Sequence, residues 1–250
     1  MTESRTRADL NDFSCIADVY DELVDWAPYK LWVRKLEKRL RRHGLERGDW
    51  ILDVACGTGL SSLPWLRRGY HVVGVDRSQH MLARASRRAL DEGYELELTQ
   101  QDILDLDPAR RFDLALCMHS GLDYLLKEED LARAFHSLRG CLREGGLLAF
   151  DKCLDVPSFY RRSYTDHRRL SCGTADFEYR WDRRRGLMEQ HCTVRRTDGR
   201  KPAETHVLYH LKATPPDRLH EMLDDAGFET LERVRVFRVS EPGFGIYRAR

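Results

Sequence analysis

Long apolar runs are missing from this 250-residue chain: none approaches the roughly 20 residues that a membrane-spanning helix needs. An excess of charge of one sign is missing too. Forty-two Lys and Arg face 41 Asp and Glu, for a formal net charge of +1. No global field therefore draws the chain to nucleic acid or to an anionic membrane. The opening residues MTESRTRADLNDF carry acids and no hydrophobic segment of the secretory-leader kind. Seven cysteines occur, Cys15, Cys56, Cys117, Cys141, Cys153, Cys172 and Cys192, without a CxxC pair. An odd count at scattered spacing fits reduced thiols in a cytoplasmic compartment better than a disulfide framework or a zinc site, so no metal is expected. Internal repeats and low-complexity linkers are absent. What is present, 42% apolar and 33% charged residues, describes a globular chain of one elaborated domain or two small ones.

The first half alternates two periodicities. Short apolar runs at 50–54, 71–76, 94–100, 112–118 and 147–151 read as strands. Between them, helices are expected from the glycine loop to about 68, over 79–92 behind a Ser78 cap, and over 128–142. Strands alternating with helices predict βαβ units and a mostly parallel sheet covered on both faces. The rhythm changes after Lys152. Residues 158–169 read as a basic, aromatic helix or lid. Residues 175–181, 187–195 and 204–212 read as three antiparallel strands, with Arg185-Gly186 and Asp198-Gly199 as turn signals. Pro215-Pro216 opens a helix to about Ala226, and 228–239 with 244–249 form a closing hairpin. The expected organisation is a helical lid at 1–43, a core at 44–152 and 213–250, and an antiparallel insert at 153–212.

The segment ILDVACGTG, residues 51–59, joins a strand to a glycine loop. Gly57 and Gly59 let the backbone approach a ligand at a helix N-terminus. A dinucleotide fingerprint would need a third glycine where Ser62 stands, and Asp53 would be an odd neighbour for a pyrophosphate. A carboxylate there suits a ligand carrying an ammonium and a sulfonium, as S-adenosylmethionine (SAM) does. Asp76 ends the second strand, where a carboxylate can accept from both ribose hydroxyls; dinucleotide enzymes use the same device. Asp102-Ile103 follows the third strand and suits an adenine.

ILDVACGTG, VVGVD, QQDIL, FDLALCM and LREGGLLAFD fall in the order and spacing of the class I SAM-dependent methyltransferases, which the chain resembles over roughly residues 45–152. The resemblance implies a Rossmann-like α/β sheet. It also implies a cofactor set of Asp53, Ala55, Gly57, Gly59, Asp76, Arg77, Met81, Gln101, Asp102, Ile103 and Met118. The segment 17–32 resembles the lid of small-molecule methyltransferases, among them amino-sugar N,N-dimethyltransferases. Lid tyrosines in such enzymes reach the SAM carboxylate, and Tyr20 and Tyr29 match; simple packing is the other reading.

Methyl transfer relies on proximity and alignment, and needs a base only when the nucleophile arrives protonated. Catalytic candidates are therefore positional. His119 ends the fourth strand and its imidazole titrates near neutral pH; Tyr124 follows it; His191 lies on the insert. Lys152, His206, Tyr209 and His210 are further candidates. The arginines of the insert read either as an anion-recognition surface or as a solvated face balanced by Asp166, Asp176, Glu178 and Asp182. The balancing acids favour the second and speak against RNA, while the resemblance implies a small-molecule acceptor, an amine or hydroxyl of a specialised metabolite. A homodimer is compatible with the sequence.

Overall fold

A computed structural model describes residues 12–154, 164–182, 184–200, 203–233 and 243–250. The lid supplies a 3-10 turn at Ser14–Ile16, α1 (Tyr20–Leu23) and α2 (Tyr29–Leu40). Then follow β1 (Trp50–Val54), α3 (Ser62–Leu66), β2 (His71–Asp76), α4 (Gln79–Asp91), β3 (Glu97–Gln100), β4 (Phe112–Cys117), α5 (Glu128–Cys141) and β5 (Leu142–Asp151). The insert holds β6 (Tyr164–Leu170), β7 (Gly173–Asp182), β8 (Leu187–Arg196) and β9 (Glu204–Lys212). The chain closes with α6 (Pro216–Asp225), β10 (Phe228–Glu232) and β11 (Phe244–Ala249).

Seven strands form one sheet in the order β10-β11-β5-β4-β1-β2-β3. β1 to β5 run parallel, while β11 pairs antiparallel with β5 and β10 antiparallel with β11. Period two sorts the strand residues between the faces. Leu52, Val54 and Phe150 pack under α5 and α6. Ile51, Leu116 and Ala149 face the opposite layer, where α2 presents Trp32, Val33, Leu36 and Leu40 at helical spacing. Strand order reverses at β1, which opens a crevice at the carboxyl ends of β1 and β4, where ligands of such sheets sit.

The insert forms a separate antiparallel sheet in the order β6-β7-β8-β9. One face carries Ala175, Phe177, Tyr179, Cys192, Val194, Val207 and Tyr209, and clasps Ile16, Val19 and Leu23 of the lid. The lid is thus held between the two sheets.

Three expectations are corrected. Residues 158–169 were expected as a basic, aromatic helix or lid; from Tyr164 on they are strand β6, and 155–163 lie outside the described residues. Pairing with β7 decides this, through Tyr164 stacked on Tyr179 at 4.2 Å and Arg168 over Phe177 at 5.1 Å. The insert has four strands rather than three. β5 begins at Leu142, five residues early, because the 145–146 glycines form a bend within the strand, with Gly145 at φ 72°, rather than a stop.

Candidate active site

The glycine loop is built on left-handed backbone: Ala55 at φ 55°, Gly57 at 54° and Gly59 at 79°. Gly57 N–H donates to Asp76 Oδ2 at 2.9 Å, and Ser78 N–H to Asp76 Oδ1 at 2.8 Å. Asp76 therefore ties the loop to the start of α4, with its carboxylate at the cavity wall as an acceptor for a ligand. A Cβ on Gly59 would sit 3.2 Å from Ala85 Cβ, so this glycine admits α4 against the loop and does not line the ligand cavity. Asp53 is fully buried beneath the loop and does not line that cavity either. Its Oδ2 accepts from the Ser61 and Ser62 hydroxyls, both at 2.6 Å. Burial pushes its carboxyl up to about 6. The hydroxyl of Ser62 thus supplies a donor that a third glycine could not.

A cavity of about 410 Å³ lies above the loop. Tyr20, Tyr29, Ala55, Gly57, Asp76, Arg77, Met81, Gln101, Asp102, Ile103 and Met118 all line it. Its chemistry fits SAM: the Asp76 carboxylate at a strand end, apolar Met81 and Ile103, and the exposed Asp102 beside them, whose Oδ1 accepts from Leu104 N–H at 2.9 Å. Phe13, Thr58, Ser61 and Leu125 also belong to the wall. Thr58 sits in the glycine loop and Ser61 just after it, whereas no motif signals Phe13 or Leu125, which only the fold brings there.

A second cavity, of about 150 Å³, adjoins the first between the lid and the insert sheet. Phe13, Tyr20, His119 and Tyr124 line both, so the two cavities meet at these four side chains. Tyr20 hydrogen-bonds Tyr29, whose hydroxyl lies 2.5 Å from His119 Nδ1. Burial raises both phenols above their ordinary range and lowers His119 to about 4. Tyr29 therefore stays a neutral phenol and His119 a neutral imidazole, joined through Nδ1. The expectation that His119 titrates near neutral pH is corrected: desolvation keeps it uncharged.

His119 and Ser120 are consecutive non-glycine residues at φ 64° and 63°. Their N–H groups both donate to Asp151, that of Ser120 to Oδ2 at 2.8 Å. Asp151 is fully buried, and burial with the neighbouring Asp123 charge pushes it up to about 7. Lys152, a catalytic candidate by position, is instead sealed in an ion pair: Nζ lies 2.7 Å from Asp123 Oδ1 and 3.0 Å from the Lys212 carbonyl. Asp151 ends the LREGGLLAFD segment, but no motif signals Asp123, and only the pairing of the 119–124 loop with the end of β5 brings the two together.

His191 is not brought to the site. Met188 and Gln190 of β8 line the second cavity, and period two turns His191 to the opposite face beside Glu189, at 3.9 Å. His206 and His210 share that outer face, next to Glu204 and Glu189, while Tyr209 lines the cavity. The arginines of the insert are largely paired with acids: Arg180 with Glu178, Arg195 with Asp176 and Glu204, Arg196 with Asp18. Among the described residues no group of three side chains could hold a metal ion, and no helix is long and apolar enough to cross a membrane.

The lid is latched over the first cavity from both sides. Asp21 accepts from the Thr58 hydroxyl at 2.6 Å and from Arg88, and Arg88 Nε also donates to the Thr58 carbonyl at 2.9 Å. Asp18 takes both contacts from Arg196 Nη2 at 2.6 Å, and the Ser14 and Ser78 hydroxyls lie 2.7 Å apart.

Residues 51–146 match the family model described as a methyltransferase domain. A protein of Geobacillus sp. (strain WCH70) assigned as a methyltransferase is 31% identical over 231 residues, covering 89% of this chain and 91% of that one. A glycine/sarcosine N-methyltransferase of Parasynechococcus marenigrum is 34% identical over 149 residues, 57% of this chain and 49% of the relative, so there the chain spans about half the relative's length. Among solved structures, a SAM-dependent methyltransferase from Clostridium acetobutylicum superposes with a TM-score of 0.80 at 22% identity, covering 95% and 98% of the two chains. The sugar N-methyltransferase KedS8 from Streptoalloteichus superposes at 0.76 and 23% identity, covering 100% and 97%. Fold and sequence together define a class I methyltransferase, with SAM as its methyl donor. The chain belongs to the SAM-dependent methyltransferase family.

Proposed function

We propose that this enzyme methylates an amine on a small molecule held in the second cavity. The observation that carries this reading is the ring of Phe13, Tyr20, His119 and Tyr124, where the two cavities meet. A space of about 150 Å³ walled by Trp26, Phe177, Tyr179 and Tyr209 suits one ring-sized group rather than a nucleic acid strand. The named activities of similar proteins, on glycine, sarcosine and sugars, support an amine acceptor.

SAM, when bound, supplies a methyl group on a positively charged sulfur that an amine lone pair can displace. Asp76, Asp102, Met81 and Ile103 would hold it. The chain's own part is to present the amine uncharged and aligned. Aromatic walls exclude water, and the buried site disfavours an ammonium. His119 contributes a neutral imidazole rather than a charged one. The backbone at 119–120, clasped by Asp151, fixes where that group points.

Calorimetry tests this reading. Binding of S-adenosylhomocysteine at micromolar affinity and none of NAD is expected; Asp76→Asn is expected to weaken it at least about tenfold, since hydrogen bonds to a charged acceptor are the stronger ones. Binding of NAD in its place would refute the assignment. A salt-dependent gel shift with RNA would favour a nucleic-acid acceptor instead.

A further inference from the structure

Beyond the four residues it shares with the first, the second cavity is walled by the inner face of β7, β8 and β9. That face is apolar over most of its area, with Phe177, Met188 and Leu211, and polar along one row. Tyr179, Gln190 and Tyr209 lie directly opposite one another on the three strands. All three line the cavity.

Tyr209 is buried, and its hydroxyl has no hydrogen-bond partner among the described residues. Its ring is fixed, stacked on Phe13 at 4.4 Å with the planes 16° apart. A buried hydroxyl without a partner is costly and uncommon in folded proteins, and a ligand is one way to satisfy it. Trp32, Asp53, Trp65 and Asp151 also bury an unpartnered polar atom, but none of them lines either cavity. Gln190, directly across from Tyr209, offers an amide that both donates and accepts.

The charges around this cavity are already committed. Arg168 donates to Asp166 and to the Leu23 carbonyl and lies over Phe177. Asp123 is held by Lys152. A carboxylate or phosphate on the acceptor would therefore meet no uncommitted cation on the described walls, whereas neutral hydroxyls would meet the row.

We propose that Tyr209 and Gln190 are the specificity-determining pair for the acceptor, selecting a ring amine by hydrogen bonds to its neutral hydroxyl groups. The proposal rests on the reading that this cavity receives the methyl acceptor. A site built to bond a hydroxyl rejects the analogue that lacks it, because its own polar groups are then left buried and unpaired.

The test titrates ring amines into the complex of the full chain with S-adenosylhomocysteine by calorimetry: a set of hexosamines, cyclohexylamine as the ring without hydroxyls, and glycine and sarcosine. Saturable binding of at least one hexosamine is expected, with cyclohexylamine about tenfold weaker or more and the two amino acids not bound. Tyr209→Phe and Gln190→Leu should each weaken the hexosamine about tenfold while leaving cyclohexylamine and S-adenosylhomocysteine affinities unchanged. The proposal is overturned if no hexosamine binds, if cyclohexylamine or glycine binds as tightly, or if both variants keep the wild-type preference. Failure of the wild type to bind S-adenosylhomocysteine would refute the methyltransferase reading itself.

Discussion

The Tyr29 hydroxyl and Nδ1 of His119, 90 residues apart in sequence, lie 2.5 Å from each other at the junction of the two cavities. The contact joins the lid to the end of β4 and holds the imidazole in place. Because His119 is held at about 4, its neutral form persists through the physiological range. NMR titration should show no protonation of this ring above about pH 5, and a midpoint near 6.5 would contradict the assignment. The linkage sign follows. The unfolded chain takes up this proton below its ordinary pKa while the folded one resists until about 4, so stability falls as pH drops through that window.

Asp151 acts in the opposite sense. Its folded carboxyl is raised from 3.8 to about 7, so its contribution is fully present below the unfolded value and is lost as pH rises through 7. Asp151→Asn keeps an acceptor for the Ser120 N–H and removes the buried charge. Thermal melts should show the variant more stable than wild type at pH 8, on the order of 2–4 kcal/mol, with the difference gone at pH 4. Equal melting behaviour at both pH values would show that the carboxylate is not desolvated.

Lys152 and Asp123 are both almost wholly buried. Removing one partner of such a pair strands the other. Lys152→Met alone should cost about 3–5 kcal/mol in urea unfolding, and the double variant with Asp123→Asn should regain much of that loss. A single variant as stable as wild type would mean that the pair is not sealed from water.

The lid latch should govern cofactor exchange. Asp21 and Arg88 are about a third and a quarter exposed, so their pair is worth little to stability. Because it joins α1 to Thr58 of the glycine loop, Asp21→Ala should speed release of S-adenosylhomocysteine about three- to tenfold in stopped-flow measurements. High salt should produce part of the same effect in the wild type and little in the variant. An unchanged release rate would place the exit route elsewhere.

Much of this architecture was legible in the sequence, for particular reasons. The apolar runs of β1, β2 and β4 and the helical spacing of Met81, Leu82 and Ala85 carry unambiguous periods. Asp76, Gly57 and Ile103 occupy positions whose place is set by a strand end and a loop, and they line the cavity. Within the insert β7, β8 and β9 were legible from their buried apolar face, and only β6 resisted reading. The strand 164–170 alternates Arg, Asp and His with no apolar stripe, and Tyr179 across the ladder makes it a strand.

By itself, then, the sequence determined the βαβ order, the glycine loop and its carboxylates, and hence the family and its cofactor. Those features are local, dictated by periodicity and by the few residues that tolerate left-handed backbone. Which side of a strand faces a cavity was decided only by tertiary structure. Register put Tyr209 and Gln190 inward and His191 outward, sank Asp53 under the loop, and sealed Lys152 against Asp123. Protonation states were decided there as well, because a pKa depends on how much water a group has lost and on which charges lie beside it.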